Sequence, residues 1–276
     1  MKSNLLHYYL NDRVIIADYN KLLYFSKNGD FVKSIRHDTP RNAPFFFIDE
    51  NNCIAISMVP SGKRGFEREI RRFNLKTKEI KTLVKYRHGM INYSNRFLKY
   101  GFFEISGITP WMIMGYDYDN KKLYYGMNNS YTINILDLNG NIVNKFSLKR
   151  KRKEIPQKAI EKWLKSKRPD VPYQQVASLI PKELCYFHSI QIINDLVYVY
   201  VMAWGNPQEV QHIDIFSLEG KYLYRSFFKP GDDMNIYLPI PNQLEFIQRG
   251  HLYVTLEDED GNIIIVKYKV SLPGVS

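Results

Sequence analysis

Apolar and polar residues alternate along most of this chain in short runs, and the runs are joined by glycine-bearing turns. A period of two is the mark of a half-buried strand. Phe25, Asn28-Gly29 and Phe31 form one such junction, Leu136, Asn139-Gly140 and Ile142 a second, and Phe216, Glu219-Gly220 and Tyr222 a third. A fourth junction, with Phe73 before Thr77-Lys78, has one extra residue and is expected to carry a bulge. Asn-Gly here predicts the tightest hairpin, in which both central residues take positive φ.

The pattern resolves into five groups of strands. The first covers 13–19, 21–27 and 30–36; the second 44–47, 53–59, 68–75 and 79–84. The third covers 111–116, 122–127, 131–137 and 141–148; the fourth 187–192, 196–202, 212–217 and 221–228. The fifth stops after 244–248, 251–256 and 263–270, and the segment 4–10 is expected to complete it as a fourth strand. Repeated four-stranded antiparallel units predict an all-β β-propeller with five legible blades. Closing the last blade with an N-terminal strand hides edges that invite aggregation.

The turn signatures open at 25, 73, 136 and 216, steps of 48, 63 and 80 residues. A blade takes roughly 40 to 50 residues, so the last two steps contain insertions. Residues 86–110 are rich in Tyr, Phe and Gly and lack a clear period. Residues 149–181 are not β: Ile160, Trp163 and Leu164 stand at helical spacing among lysines, after Pro156 and before Pro169. A second short helix is expected at 173–180, ahead of Pro181. The prediction is one propeller domain, 1–276, with a basic helical insertion at 149–181.

Charge changes this picture in one place. The chain carries a net +11, and residues 149–168 hold ten basic side chains against Glu154 and Glu161. Aromatic residues make up 14% and lie mostly in the alternating runs, which favours sheet. Two distant cysteines, Cys53 and Cys185, read as buried free thiols. The opening apolar stretch is too short for a signal peptide, and no run approaches the roughly 18 apolar residues of a spanning helix. The chain reads as soluble and monomeric.

The run from Asn129 to Asn139-Gly140, the basic stretch, the Lys-rich helix, the Pro-bounded helix and re-entry into strand at Cys185-Tyr186-Phe187-His188 occur in a distinctive order. With the strand from Leu196 to Trp204, this order resembles the bacterial six-bladed β-propellers related to NHL-repeat propellers, over roughly residues 13 to 270. The resemblance implies six blades, a periplasmic or envelope location and a chain that begins about one blade late. It implies no settled activity and carries no catalytic residue across.

Chemical motifs narrow little. There is no phosphate-binding glycine loop, nucleophile elbow, Cys-x-x-Cys pair or His-Glu-x-x-His. The acidic stretch 257–262 and the segment 117–120 read as turns, not metal loops, so no metal, cofactor or catalytic residue is assigned. His188 is the best placed histidine, at the start of a strand. Arg41, Arg64, Trp111, His188 and Trp204, in loops or at strand ends, are the candidate ligand-binding residues. Five adjacent cations, Lys149, Arg150, Lys151, Arg152 and Lys153, repel one another and gain nothing structurally, so they are the candidate anion-binding residues.

Three readings follow. The first is a non-enzymatic binding or scaffold propeller recognising a protein, peptide or glycan through one face. The second is a metal-dependent lyase or lactonase-type propeller with its site in a central channel. The third is an anion-binding module acting through the basic insert on lipid or nucleic-acid phosphates.

Overall fold

Each alternating run forms a strand and each glycine junction reverses the chain. The computed structural model describes residues 6–10, 13–18, 21–36, 45–61, 65–86, 108–167, 169, 173–177, 180–202, 211–228, 235–236, 245–248, 251–257 and 263–269. The first sheet is β1 (Leu6–Leu10), β2 (Arg13–Asp18), β3 (Lys21–Ser26) and β4 (Phe31–Arg36). The second is β5 (Phe45–Phe47), β6 (Asn52–Ser61), β7 (Gly65–Asn74) and β8 (Ile80–Tyr86). The third is β9 (Met112–Asp117), β10 (Lys122–Met127), β11 (Thr132–Leu136) and β12 (Ile142–Ser147).

Two helices follow, α1 (Gln157–Lys167) and α2 (Tyr173–Val176). The fourth sheet is β13 (Phe187–Ile193), β14 (Leu196–Val201), β15 (Gln211–Ser217) and β16 (Tyr222–Phe228). These four sheets are antiparallel meanders, each ordered as its strands occur in the chain. In the fifth, β19 (His251–Glu257) pairs with β20 (Ile263–Lys269), β18 (Glu245–Gln248) and β17 (Asn235–Ile236). The fold is therefore an all-β propeller type, built of four-stranded antiparallel blades with a short helical insertion.

Two expectations are corrected. The N-terminal strand does not complete the last blade: β1 pairs with β2 through Leu6↔Ala17 to Leu10↔Arg13. Only residues 11 and 12 separate the paired ends, and closing so short a loop costs far less entropy than bridging the whole chain. The turns also differ from the expected type. Gly29, Gly140 and Gly220 have φ near +90°, while Asn28 and Asn139 do not take positive φ.

Each of these hairpins has a type I turn followed by a left-handed glycine, and a further bulge lies one strand pair beyond the turn. The register shifts between Tyr24 and Phe25, Ile135 and Leu136, and Ile215 and Phe216. The copy with the extra residue is bulged as well, between Ile70 and Arg71. The residue after the opening apolar side chain holds the turn. Asp137 Oδ1 accepts the Asn139 and Asn141 amides at 2.9 and 2.8 Å, and Asn74 Oδ1 accepts those of Lys76 and Thr77. Side-chain and backbone donors from Asn141 lead in holding the Asp137 carboxyl below its ordinary range.

The described chain forms two compact units: 1–90 with 118–121 and 137–141, and 91–117 with 122–136 and 142–276. In the first, Ile15, Leu22 and Tyr24 pack against Phe47, Cys53 and Phe73. In the second, the third and fourth sheets meet over Tyr124, Tyr131, Phe146, Phe187 and Phe216. Gly115 marks how close β9 and β13 approach, since a Cβ there would lie 2.5 Å from the Ile190 carbonyl oxygen. Helix α1 seats Ile160 and Leu164, with Trp163 beside them, on Ile155, Ile180 and Leu184. As predicted, it starts after Pro156 and ends ahead of Pro169, whereas α2 is only four residues long. Both cysteines are free and buried, and burial pushes their thiols up to about 12.

Candidate functional site

Among the described residues of the second unit, a polar arrangement gathers around one buried acid. Asp214 lies in the middle of β15, is fully buried, and sits directly opposite Arg225 of β16. Directly opposed residues share a face of the ribbon, so Arg225 reaches the carboxylate with both ends of its fork. Its Nε lies 2.9 Å from Oδ1 and its Nη2 2.9 Å from Oδ2. Arg150, arriving from the basic segment, donates through Nη2 to Oδ1 at 3.0 Å, and Tyr131 donates its hydroxyl to Oδ2 at 2.7 Å.

Four donors fill the roughly four acceptor positions of the carboxylate. Asp214 is saturated. The arrangement nevertheless holds two guanidiniums against one acid, a surplus of one positive charge. Arg150 and Arg225 remain 27% and 28% exposed, so each side chain is partly open to solvent. Arg150 also donates to the Tyr222 hydroxyl at 3.3 Å and lies over the Tyr222 ring. Burial, then the charge of Asp214, pushes the Tyr131 hydroxyl far up, keeping it a protonated donor. The hydrogen bonds to Asp214 lead in holding Arg225 above its ordinary value.

His212 shares that face of β15, two residues before Asp214, and its ring meets Phe227 edge-on at 6.4 Å. Burial lowers its pKa, and Arg225, Arg150 and Lys153 lower it further against the single opposing pull of Asp214. The field at this face is positive.

The basic run is not a solvated string. Lys149, Lys151 and Lys153 are exposed, while Arg150 and Arg152 turn inward. Arg152 donates through Nε to the Leu184 carbonyl at 2.9 Å and pairs with Glu183 at 3.1 Å. The expectation that the run gains nothing structurally is thus corrected at two of five positions. An extended segment points alternate residues to opposite sides, and here the arginines take the inner side.

His188 sits at the register shift between Phe187 and Ser189, the extra residue of a bulge in β13. Bulges re-aim side chains, and this one is buried against Tyr200 and Gln211. Burial pushes its pKa down to about 4, outweighing the hydrogen bond with Gln211, so the imidazole is neutral at pH 7. Gln211 is itself anchored on the Val201 and His212 carbonyls at 2.7 and 2.8 Å.

Trp111 exchanges backbone and side-chain bonds with Asn128 and packs on the apolar cluster that contains Phe187. Arg41, Arg64 and Trp204 lie outside the described residues, as does most of the acidic stretch 257–262. Among the described residues no group of three His, Cys, Asp or Glu stands ready for a metal ion. None of the described helices is long and apolar enough to cross a membrane.

Asp214, Arg225, Tyr131 and Tyr222 were not among the candidates read from sequence. One partial signal was available: pairing Phe216 with Tyr222 across the Gly220 turn and counting outward reaches Tyr224, and only the bulge at Leu223 brings Arg225 opposite Asp214.

No protein-family model matches the chain, and no curated protein matches it. Among solved structures it is similar to a member of the DUF4221 family from Bacteroides vulgatus, with TM-score 0.53 at 12% identity, covering 94% of this chain and 76% of that one. It is also similar to the WD40 domain of Toxoplasma gondii coronin (TM-score 0.43, 10% identity, 96% and 57% covered). A DUF4623 protein from Bacteroides eggerthii gives TM-score 0.43 at 9% identity, covering 96% and 54%. The first likeness concerns the fold.

Proposed function

We propose that this chain is a non-enzymatic binding propeller that recognises a protein, peptide or glycan partner through one face. We further propose that it is one domain over 1–276, six-bladed in plan and related to NHL-repeat propellers, with 149–181 inserted in it. The observation supporting binding is a recurrence. The outer strands open on exposed apolar side chains: Phe31 and Val32 on β4, Ile80 on β8, Ile142 and Val143 on β12, Tyr222 and Leu223 on β16. Large apolar groups left exposed on an outer strand offer contact surface to a partner.

The six-bladed plan rests on the resemblance carried by 129–140, 149–181 and 185–204. The test is saturable binding of the purified full chain to peptide and glycan arrays. Substituting one outer strand's exposed apolar pair by serine is expected to abolish binding, with the other strands unaffected. A stoichiometric, tightly bound metal ion together with turnover of an ester or lactone substrate would overturn this reading.

A further inference from the structure

We propose that Arg150 and Arg225, held on Asp214, form a carboxylate seat, and that its occupant is an acidic, extended peptide segment laid along β16. This rests on the binding reading and names the partner's chemistry. Three observations point the same way.

The first is charge. One buried carboxylate is shared by two guanidiniums, and each arginine side chain stays about a quarter exposed. The bonds that hold them come from Arg150 Nη2 and from Arg225 Nε and Nη2, which leaves Nη1 of each guanidinium for a further acceptor. Arginine forks fixed in advance bind a carboxylate with little further loss of side-chain freedom.

The second is the strand itself. β16 is the last strand of its sheet, and among the described residues no other strand pairs with its outer edge. Open edges accept an added strand through main-chain hydrogen bonds.

The third is the neighbouring surface. Phe227 lies two residues from Arg225 on the same face and is 68% exposed. Alternate residues of an added strand point the same way, so an acidic residue two places from an apolar one matches Arg225 and Phe227 together. Helix α1 turns its apolar side inward, away from any lipid surface.

The probe is a fluorescein-labelled octapeptide alternating glutamate and valine, titrated into the full chain and followed by anisotropy. Its controls are the same peptide with glutamine for glutamate, inorganic phosphate and an eight-nucleotide single-stranded DNA. Saturable binding of the acidic peptide is expected, weakened about tenfold by Arg150→Gln and by the glutamine control. Asp214 keeps its bonds from Arg225 and Tyr131 in Arg150→Gln, so that variant is expected to fold.

Phe227→Ala, which removes a largely exposed ring and its edge-on contact with His212, serves as an independent variant and is expected to weaken binding about threefold. Lys149→Ala with Lys151→Ala is expected to change affinity by less than about twofold. Equal losses from the lysine pair and Arg150→Gln would overturn the seat in favour of diffuse charge. Competition by phosphate alone, or equal binding of the oligonucleotide through Arg150, would overturn the peptide as occupant. Absence of acidic-peptide binding while other peptides or glycans bind sinks the seat alone; absence of all binding sinks the binding reading as well.

Discussion

Two buried carboxylates occupy matching places in two different blades. Glu69 lies on β7, the third strand of the second sheet, opposite Lys85 of β8; Asp214 lies on β15, the third strand of the fourth sheet, opposite Arg225 of β16. Each also accepts a hydroxyl, from Thr82 at 3.1 Å and from Tyr131 at 2.7 Å. The second cation is where they part. Glu69 takes it from Arg71, two residues away on its own strand, at 2.7 Å. Asp214 takes it from Arg150, 64 residues away in the inserted segment. The first acid is neutralised locally, with Lys85 left 66% exposed. The second fastens an insertion to a blade, and both of its cations are about three-quarters covered. The same solution to burying an acid is a local brace in one blade and a long-range clasp in the other.

The widest separation is expected when each acid is removed. Asp214→Ala leaves two largely covered guanidiniums facing each other, and breaking a buried ionic group of this kind costs about 3–5 kcal/mol. Glu69→Ala strands one covered cation, Arg71 at 24% exposed, beside a Lys85 that already reaches water, and a loss of about 1–2 kcal/mol is expected. Urea unfolding at unchanged m measures both, and equal losses would break the distinction.

Acid sharpens it next. His188 has a folded pKa of about 4, below its unfolded value of about 6.5. The unfolded chain therefore binds the extra proton first, so stability is complete above pH 6.5 and falls as pH drops toward 4. The gap corresponds to about 3 kcal/mol, lost across that window. Burial works to raise the Glu69 carboxyl, but hydrogen bonds from Arg71 and Thr82 outweigh it and hold the group below its ordinary range. Its contribution is present above the unfolded carboxylate value and is lost only as pH falls lower still. His188→Gln is expected to flatten the upper window and Glu69→Gln the lower one, read from unfolding midpoints against pH. An unchanged upper slope in His188→Gln would show that the bulge does not bury a neutral imidazole.

These expectations also mark what the sequence disclosed. The strands and glycine turns were legible because they depend on neighbours two to six residues apart. Helix α1 was legible for the same reason, through Ile160, Trp163, Leu164 and the prolines that bound it. Even the Asp214–Arg225 pairing came within one residue of a plain count across the Gly220 turn, which gives Tyr224 until the bulge is allowed for. Arg150 and Tyr131 did not: they reach Asp214 across 64 and 83 residues, and no local pattern encodes that distance. Asn11 and Asp12 between Leu10 and Arg13 offered a two-residue hairpin connection, and the local pairing of β1 with β2 prevailed over a closure spanning the chain.

Arg150→Met tests the clasp with a smaller effect. Asp214 keeps its two bonds from Arg225, so a loss of about 1–2 kcal/mol is expected. Its signature is local: amides of α1 and of the segment 149–156 are expected to exchange faster, while those of β13 to β15 are not. Arg71→Met, of similar cost, is expected to leave exchange in α1 unchanged. Equal acceleration in both variants would mean that Arg150 braces its blade and does not fasten the insertion.

The smallest effect belongs to the cations that stood out most in the sequence. Lys149 and Lys151 flank Arg150, carry the same charge and face solvent. Exposed cations without a close partner contribute little, so Lys149→Ala with Lys151→Ala is expected to shift stability by no more than about 0.5 kcal/mol. Removing two like charges beside Arg150 relieves repulsion, so any shift is expected to be stabilising and to shrink as salt screens the run. Denaturation midpoints at low and high salt measure both the sign and the screening. A loss as large as that of Arg150→Met would mean that position in an extended segment does not decide which cation is structural, and the contrast between clasp and brace would rest on charge density instead.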